Sequence, residues 1–388
     1  MKKIAFIHPN IFPGGGAERV TLDIARFLQQ HAPAEFRCYV FAPKIVEELC
    51  SPELQSLVEL REIRSKMSDR CADVERLIIK EGIRLIVQVV IPLPGIKGIC
   101  ERTGCKSIWA NHGEPFWQRH AIIERRRKMP LNWLFWHIFV RRMYEDKGKA
   151  RDIAIKRTLE HYNECDAYTV LCDEYKEETC KALGIRLEDS KIHVIENAER
   201  VVEDVTYEKE NIIMYCGRLA NGEKRVDRLL RIWQKVQHRL PDYTLLIVGD
   251  GPDRRALEQM TSKRKLQRVE MVGAQSDVEQ YYRRASIVCL TSQTEGWGLC
   301  LTEAQANGCI PIAFGCSAGV KNILSPSGIN GFIITPFNEE EYADVLVKVA
   351  LMPEPEKNVI RHNVVIKRAE YTPDIILKKW QHLFDSLL

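Results

Sequence analysis

The sequence of 388 residues has no apolar run that approaches the ~18 residues of a membrane-spanning helix. It begins MKKIAFIHPNIFPGGG, and the apolar run behind its basic residues has only about four members, too few for the core of a secretory signal. We therefore expect a soluble, cytoplasmic protein that is at most peripheral on the inner face of a membrane.

Paired cysteines and paired aspartates are also missing. The 13 cysteines form no CxxC pair, and such scattered thiols are typical of a reduced cytosolic protein rather than of a disulfide scaffold. No Asp-x-Asp triplet occurs, so nothing in the sequence requires a metal, and we predict neither a metal site nor a cofactor. The net charge of +4 is too small to imply a nucleic acid as partner.

The composition, 45% hydrophobic and 28% charged, is typical of a globular protein, and the length suits two domains. Short β-branched runs alternate with helical segments, which indicates βαβ units and parallel sheets. The predicted strands are 3–8, 37–41, 85–90, 107–110, 167–170, 212–216, 244–248, 269–272, 286–290, 310–313 and 331–334.

A charged stretch without a core pattern, Glu199–Asn211, separates the two series of strands and is predicted to contain the linker. We predict an α/β fold of two Rossmann-like, doubly wound domains that face each other across a cleft. The first domain would be residues 1–200, and the second residues 201–370. A C-terminal helix, 371–388, is expected to cross back to the first domain.

The loop PNIFPGGGAERV follows the first predicted strand, where ligands bind in such sheets. Gly14, Gly15 and Gly16 let backbone N–H groups approach an anion at the start of a helix. A dinucleotide-binding fingerprint would need a glycine where Arg19 stands, which disfavours a dehydrogenase. A tight turn without a ligand is the alternative interpretation.

A second loop, CGRLANGEKRV, places Arg218 and Lys224 between a strand and a helix. Arginine can bind diphosphate oxygens in a bidentate manner, and lysine adds a point charge. The two cations therefore suit a diphosphate, although a solvated basic loop is an equally common arrangement.

The stretch TEGWGLCLTEAQANG places Glu295 in a glycine turn and Glu303 about one helical turn into the next helix. Gly298 and Leu299 offer N–H groups at the helix start, which suit a phosphate. Carboxylates would repel that phosphate, so both acids are predicted to accept hydrogen bonds from sugar or ribose hydroxyls. Glu303 could instead complement the helix dipole, but this would leave Glu295 unexplained.

Together these stretches resemble the retaining glycosyltransferases of family 4, which have the GT-B fold, use nucleotide-sugar donors and carry an EX7E motif. The resemblance covers nearly the whole chain, and it implies that residues 1–200 bind the acceptor and residues 201–370 the nucleotide-sugar. It implies that Glu295 contacts donor-sugar hydroxyls and that Glu303 accepts from the ribose. It further implies that Arg218 and Lys224 neutralise the leaving diphosphate of a UDP- or GDP-sugar.

The resemblance also assigns roles in the first domain. The backbone of Gly15 and Gly16 would close over the phosphates, and a histidine after a strand would lie beside the anomeric carbon. The stretch SIWANHGEPFW offers His112 for this position. An ordinary loop histidine is the alternative.

Three positions depart from the family pattern. Arg225 stands where a glycine usually follows the motif lysine, and Asn197-Ala198 stands where Asn-Gly is usual. Asn322 stands where a glutamate is common.

The acceptor side depends on residues 125–142, where a basic cluster, an aromatic apolar run and further arginines follow one another. This pattern suits an interfacial helix on anionic lipid and thus a glycan or lipid-linked acceptor in cell-surface polysaccharide or lipopolysaccharide synthesis. A core helix of the first domain fits the pattern equally well. The rival functions are a non-hydrolysing nucleotide-sugar epimerase and a non-catalytic nucleotide-sugar binding protein.

Overall fold

The computed structural model describes residues 1–8, 16–45, 56–127 and 141–388. They divide into two compact units. Unit 1 comprises Met1–Ile195 together with Lys379–Leu388, and unit 2 comprises Glu196–Lys378. The sequence places the corresponding boundaries at residues 200 and 370, a few residues away in each case.

Unit 1 is built on a seven-stranded parallel sheet with the strand order β3-β2-β1-β4-β5-β6-β7. Its strands are β1 (Lys2–Ile7), β2 (Phe36–Ala42), β3 (Glu59–Glu62), β4 (Leu85–Val89), β5 (Lys106–Ala110), β6 (Ala167–Val170) and β7 (Ile192–Val194). Its helices are α1 (Gly16–His31), α2 (Met67–Glu81), α3 (Ile96–Thr103), α4 (Gln118–Arg127), α5 (Lys149–Glu164) and α6 (Asp173–Leu183). A π-helical turn (Arg142–Asp146) and a 3-10 turn (Leu187–Asp189) complete this list.

The central strands of unit 1 are largely apolar because helices cover both faces of a parallel sheet. All five residues of β4, LIVQV, are buried, and on one face β-strand residues such as Ile86 pack with Val74 and Ile78 of α2. The end of the chain joins the same unit, where the ring of Phe384 lies edge-on to Phe36 at 6.2 Å and Asp385 pairs with Lys2.

Unit 2 contains a six-stranded parallel sheet with the order β10-β9-β8-β11-β12-β13. Its strands are β8 (Glu210–Cys216), β9 (Thr244–Val248), β10 (Val269–Gly273), β11 (Ala285–Leu290), β12 (Ile310–Phe314) and β13 (Phe332–Ile334). Its helices are α7 (Val226–Val236), α8 (Arg254–Lys263), α9 (Glu279–Arg284), α10 (Leu299–Ala306), α11 (Ala318–Leu324), α12 (Glu339–Ala350) and α13 (Glu354–Arg368), followed by a 3-10 turn (Ala369–Tyr371). The last helix, α14 (Pro373–Leu387), contains the boundary between the units.

In both sheets the strand order reverses beside the first strand, between β1 and β4 and between β8 and β11. The loops after the two strands flanking such a switch point diverge to opposite faces, and ligands of doubly wound folds bind there. The two loops that follow β8 and β11 are the ones in which the sequence places the basic pair and the first glutamate of the EX7E motif.

The predicted α/β class is confirmed, and the structure contains all eleven predicted strands with ends shifted by a few residues at most. Two strands were not predicted. β3 reads ELRE and has no buried residue, and β7 spans only Ile192–Val194. Both lie at the edges of the sheet, where a strand needs neither length nor an apolar pattern. No helix among the described residues has the length and apolarity needed to cross a bilayer.

Candidate active site

The loop after β8 holds the two predicted cations on a tightly packed backbone. Gly217 N–H donates to the Val248 carbonyl at 3.0 Å, and the Tyr215 hydroxyl donates to the Arg218 carbonyl at 3.0 Å. Gly249 has φ 135°, and a Cβ there would lie 2.0 Å from the Gly217 carbonyl oxygen. The ends of β8 and β9 therefore approach each other as only glycine allows.

Arg225 shows why a glycine is usual after the motif lysine. Its backbone lies in the left-handed region, with φ 49°, where a residue with a Cβ is strained and glycine is not. The side chain compensates, since Nε and Nη2 each donate to a carboxylate oxygen of Asp227 at 2.9 Å. Arg225 is therefore a cation neutralised on its own helix.

Lys224 and Glu295 join the two loops of the switch point. Lys224 Nζ lies 2.6 Å from Glu295 Oε2, and the Ser292 hydroxyl donates to the same oxygen at 3.3 Å. The lysine side chain is 26% exposed and the glutamate side chain 13%. Burial lowers the pKa of Lys224, but the charge and hydrogen bond of Glu295 outweigh it, so the pKa is raised on balance and the lysine remains charged.

Further bonds hold these two loops in register. Gln293 N–H donates to the Glu223 carbonyl at 2.6 Å, and the Thr291 hydroxyl donates to the Arg225 carbonyl at 3.0 Å. The buried Arg228 of α7 donates to the side-chain oxygen of Gln293. None of these contacts is predicted from the sequence, because they join residues more than 60 positions apart.

Arg218 lies in the same loop as Lys224 but has a different partner. Its side chain is 58% exposed, and its guanidinium pairs with Glu223 at 2.8 Å. An exposed pair of this kind contributes only about 0–1 kcal/mol, so Glu223 is a weak competitor for an anionic ligand. The two predicted cations thus share one loop, with Lys224 partly buried and Arg218 at the surface.

The loop after β11 ends at the start of α10. Gly298 has φ 96° and is the N-cap, so Leu299 is the first helical residue, as predicted. The first N–H groups of a helix have no partner within it and attract anions. Trp297 is 2% exposed and packs edge-on against Tyr371 at 5.3 Å. The aromatic residue next to Glu295 is therefore part of the core.

Glu303 lies on α10, half-buried, one turn beyond the helix start. The Tyr282 hydroxyl donates to Glu303 Oε2 at 2.6 Å. Burial and the neighbouring anionic groups, Glu303 among them, raise the pKa of Tyr282 well above its usual value, so the phenol stays protonated and donates. The contact between Tyr282 and Glu303 is not predicted from the sequence. Tyr282 lies on α9 and orients one oxygen of this carboxylate.

Replacement of Glu303 by glutamine is expected to weaken the binding of a nucleotide diphosphate about five- to tenfold. A hydrogen bond to a charged group contributes about 1.5–3 kcal/mol and a neutral one about 0.5–1.5 kcal/mol, and about 1.4 kcal/mol corresponds to tenfold. Isothermal titration calorimetry measures the change. Glu340→Gln, at an exposed position of α12, is the matched control. Equal affinities in the two variants would remove Glu303 from the ligand site.

In unit 1, His112 follows β5 at the carboxyl edge of the sheet, where the sequence places it. Asn111 fixes this turn with three hydrogen bonds. Its N–H donates to the Thr169 carbonyl at 3.1 Å, its side-chain amide donates to the Tyr168 hydroxyl at 3.0 Å, and Oδ1 accepts from Gly113 N–H at 3.1 Å. Asn111 is not among the residues predicted from the sequence, although an Asn two residues before a Gly is a turn signal.

The glycine loop and the basic aromatic segment are described only in part. Gly16 is the exposed first residue of α1, whereas Gly15 lies outside the described residues. Of residues 125–142, the structure describes 125–127 at the end of α4 and 141–142 at the π-helical turn. Across the described part of the chain, no three His, Cys, Asp or Glu side chains are grouped to hold a metal ion. The prediction that the protein needs neither a metal nor a cofactor stays untested.

Parts of this chain are similar to known protein families, sequences and solved structures. Residues 198–363 match the family described as Glycosyl transferases group 1. The chain is 30% identical over 191 residues to the amylovoran biosynthesis glycosyltransferase AmsD of Erwinia amylovora. The matched residues make up 49% of this chain and 52% of that protein. The chain thus matches about half the length of this relative.

Two further comparisons extend the likeness. An alpha-1,4-N-acetyl-D-galactosaminyltransferase of Campylobacter jejuni, whose name gives a diNAcBac-PP-undecaprenol glycan as substrate, is 28% identical over 146 residues, 37% of this chain and 39% of that protein. The solved structure of the Anabaena protein HepE in complex with UDP and glucose covers 100% of both chains with a TM-score of 0.74 and 16% identity. The chain therefore has the GT-B fold.

Proposed function

We propose that this chain, whose second unit matches the group 1 glycosyltransferases, is a retaining glycosyltransferase. It transfers a sugar from a UDP- or GDP-sugar to a glycan or lipid-linked acceptor in cell-surface polysaccharide or lipopolysaccharide synthesis. The contact between Lys224 and Glu295 carries this proposal, because it brings a partly buried cation and a partly buried carboxylate together at one switch point.

The diphosphate would bind at the carboxyl edge of the sheet in unit 2. Lys224 has three N–H donors, of which Glu295 accepts one, so two remain for phosphate oxygens. The helix start at Gly298 and Leu299 adds N–H groups to the same loop pair. Arg218, at the surface, supplies a planar fork of donors once it leaves Glu223.

The chemistry follows from where charge develops. When the bond between sugar and phosphate breaks, the diphosphate gains negative charge, and fixed cations stabilise it in the transition state. Glu295 would orient a hydroxyl of the transferred sugar, and Glu303, held by Tyr282, would accept from the ribose. We assign His112 the position beside the reacting carbon. Attack from the same face as the leaving phosphate, which takes the acceptor's proton, retains the configuration.

A lipid-linked or glycan acceptor is supported by the relatives named above. AmsD acts in amylovoran biosynthesis, and the Campylobacter enzyme's name includes a polyprenyl diphosphate. The cationic side chains of Arg125, Arg126 and Arg141, which are exposed in unit 1, agree with an anionic acceptor or surface.

A thermal-shift screen of nucleoside diphosphates and their sugars tests the donor assignment. A ligand that binds only the folded protein raises the melting temperature, by an amount that grows with its concentration over Kd. We expect UDP or GDP and one of its sugars to produce the shift. Incubation with that sugar nucleotide and product analysis then separate the rivals. Free nucleotide indicates transfer, an isomeric sugar nucleotide indicates an epimerase, and no conversion with any acceptor indicates a binding protein.

Binding to anionic vesicles is the expected result for the segment 125–142. Liposome sedimentation should recover the protein with vesicles that contain phosphatidylglycerol and not with pure phosphatidylcholine, because each basic residue near an anionic surface contributes about 1 kcal/mol. Replacement of Arg125, Arg126, Arg141 and Arg142 by glutamine should abolish the recovery. Failure of the unmodified chain to sediment with either vesicle would leave the segment as a core element of unit 1.

A further inference from the structure

A cavity of 670 Å³ lies in unit 1 between the end of β4 and the helices α4 and α5. This volume falls within the range of small-molecule sites, about 300–1,000 Å³. Its wall is mainly apolar and includes Val90, Ile91, Trp117, Ile122 and Ile153. The mechanism proposed above uses none of these residues.

Four polar residues of the cavity lining include groups without a partner among the described residues. Arg125 and Arg157 line the cavity, and neither forms an ion pair with any residue in the described parts of the chain. His161 Nδ1 and Gln118 Oε1, also in the lining, are buried without a hydrogen-bond partner among the described residues. Buried polar atoms in native proteins are almost always satisfied, so the two buried atoms of Gln118 and His161 indicate a polar ligand. The side chains of Arg125 and Arg157 are exposed cations at the same cavity.

The charge of the cavity is positive. No acidic residue occurs among its described lining residues, and the acids that act on His161, Glu164 and Glu160, lie on its own helix outside that lining. Burial lowers the pKa of His161, so the ring is neutral at neutral pH and keeps one N–H donor. Gln118 can also donate, because its amide oxygen and nitrogen exchange places by rotation. The donors suit an anion, whereas the wall suits an apolar chain.

The cavity lies next to the turn that holds His112. A Cβ on Gly113 would lie 2.8 Å from Trp117 Cδ1, so the tryptophan of the cavity wall packs directly on the residue after His112. The Trp109 indole of β5 donates to the Val90 carbonyl at 3.4 Å and lies edge-on to His161 at 5.5 Å between ring centroids. The end of β4, the end of β5 and α5 therefore form one packed group.

We propose that this cavity binds a lipid phosphate, with Arg125 and Arg157 on the phosphate and the apolar wall around the first part of the chain. A neutral lipid would leave both cations without an anion, and a free sugar phosphate would cover the apolar wall with hydroxyl groups. The inference rests on the proposed function, in which it identifies the lipid part of the acceptor.

Calorimetric titration of the full chain with farnesyl phosphate, inorganic phosphate and farnesol tests the proposal. Farnesyl phosphate should bind, and each of the other two, which carries only half of the recognised chemistry, should bind at least about tenfold more weakly. Equal binding of inorganic phosphate would show a plain anion site, and equal binding of farnesol would show a plain apolar pocket. Either result overturns the proposal.

Variants of the two helices sharpen the test. Arg157→Gln should weaken farnesyl phosphate at least about tenfold, since a hydrogen bond to a charged group contributes about 1.5–3 kcal/mol. Lys156→Gln, an exposed neighbour on α5 outside the cavity lining, is the control of equal charge and should bind as the unmodified chain does. Ala121→Trp should fill the cavity and abolish binding. If Arg157→Gln and Lys156→Gln bind alike, the assignment fails.

Titration of UDP and GDP into the same preparations separates this inference from the proposed function. Nucleotide binding without farnesyl phosphate binding would refute the lipid site and leave the glycosyltransferase intact. Farnesyl phosphate binding without nucleotide binding would support the lipid site and refute the proposed glycosyltransferase function.

Discussion

Replacement of Lys224 by alanine is expected to lower turnover about 10²–10³-fold while the protein stays folded. The ammonium is the partly buried cation of the switch point, and loss of one such preorganised electrostatic contact costs about 3–4 kcal/mol in the transition state. Release of nucleotide from the donor found in the thermal-shift screen measures the effect. Since Glu295 keeps contact with solvent and with Ser292, its isolated charge should not unfold unit 2.

Lys235→Ala is the control for this variant. Lys235 lies on the adjoining helix α7, is exposed and pairs with Glu340 at the surface, so its removal should leave turnover unchanged. Circular dichroism and the melting temperature of both variants report on folding. Near-normal turnover in a folded Lys224→Ala protein would refute the diphosphate assignment.

Replacement of Gly319 by alanine is expected to lower the free energy of unfolding by about 1–3 kcal/mol and to weaken nucleotide binding. A Cβ at Gly319 would lie 2.2 Å from the Gly296 carbonyl oxygen, a backbone atom of the loop that carries Glu295. Overpacking of this kind forces the backbone to move. Since α11 is anchored by buried Val320 and Ile323, the loop after β11 is the partner that has to shift.

Gly222→Ala is the matched control for Gly319→Ala. An added methyl group at Gly222, in the loop after β8, would meet no atom within 4 Å. Urea unfolding and calorimetry with the nucleotide compare the two variants. If Gly319→Ala matches Gly222→Ala in both measurements, the contact between α11 and the loop does not position Glu295.

The sequence predicts the central strands well because a strand buried on both faces is apolar at most of its positions. β4 and β11 are of this kind, and the sequence locates both. The edge strands β3 and β7 are not predicted, because a short strand at the solvent-exposed edge of a sheet lacks the apolar run that marks a buried strand. Glycines in the sequence mark the loops that follow the strands, because a helix that starts directly after a strand needs a turn there.

The partners of the site residues are much harder to predict. Glu295 binds Lys224 across 71 positions, and Glu303 accepts from Tyr282 across 21, and neither spacing is encoded in a local period. The pairing of Arg225 with Asp227 is local, yet its reason becomes visible only with the left-handed backbone of Arg225. The sequence thus suggests candidate residues for the chemistry, while the strand order decides which of them meet.

Lys224 Nζ already donates to Glu295, so in the proposed function a bound diphosphate would share the ammonium with this carboxylate. Glu295 would then act as the counter-ion of the lysine again after the nucleoside diphosphate dissociates. An ammonium without such a counter-ion would bind the product more tightly and release it more slowly. On this proposal, the ion pair between the two loops would speed product release at the end of each cycle.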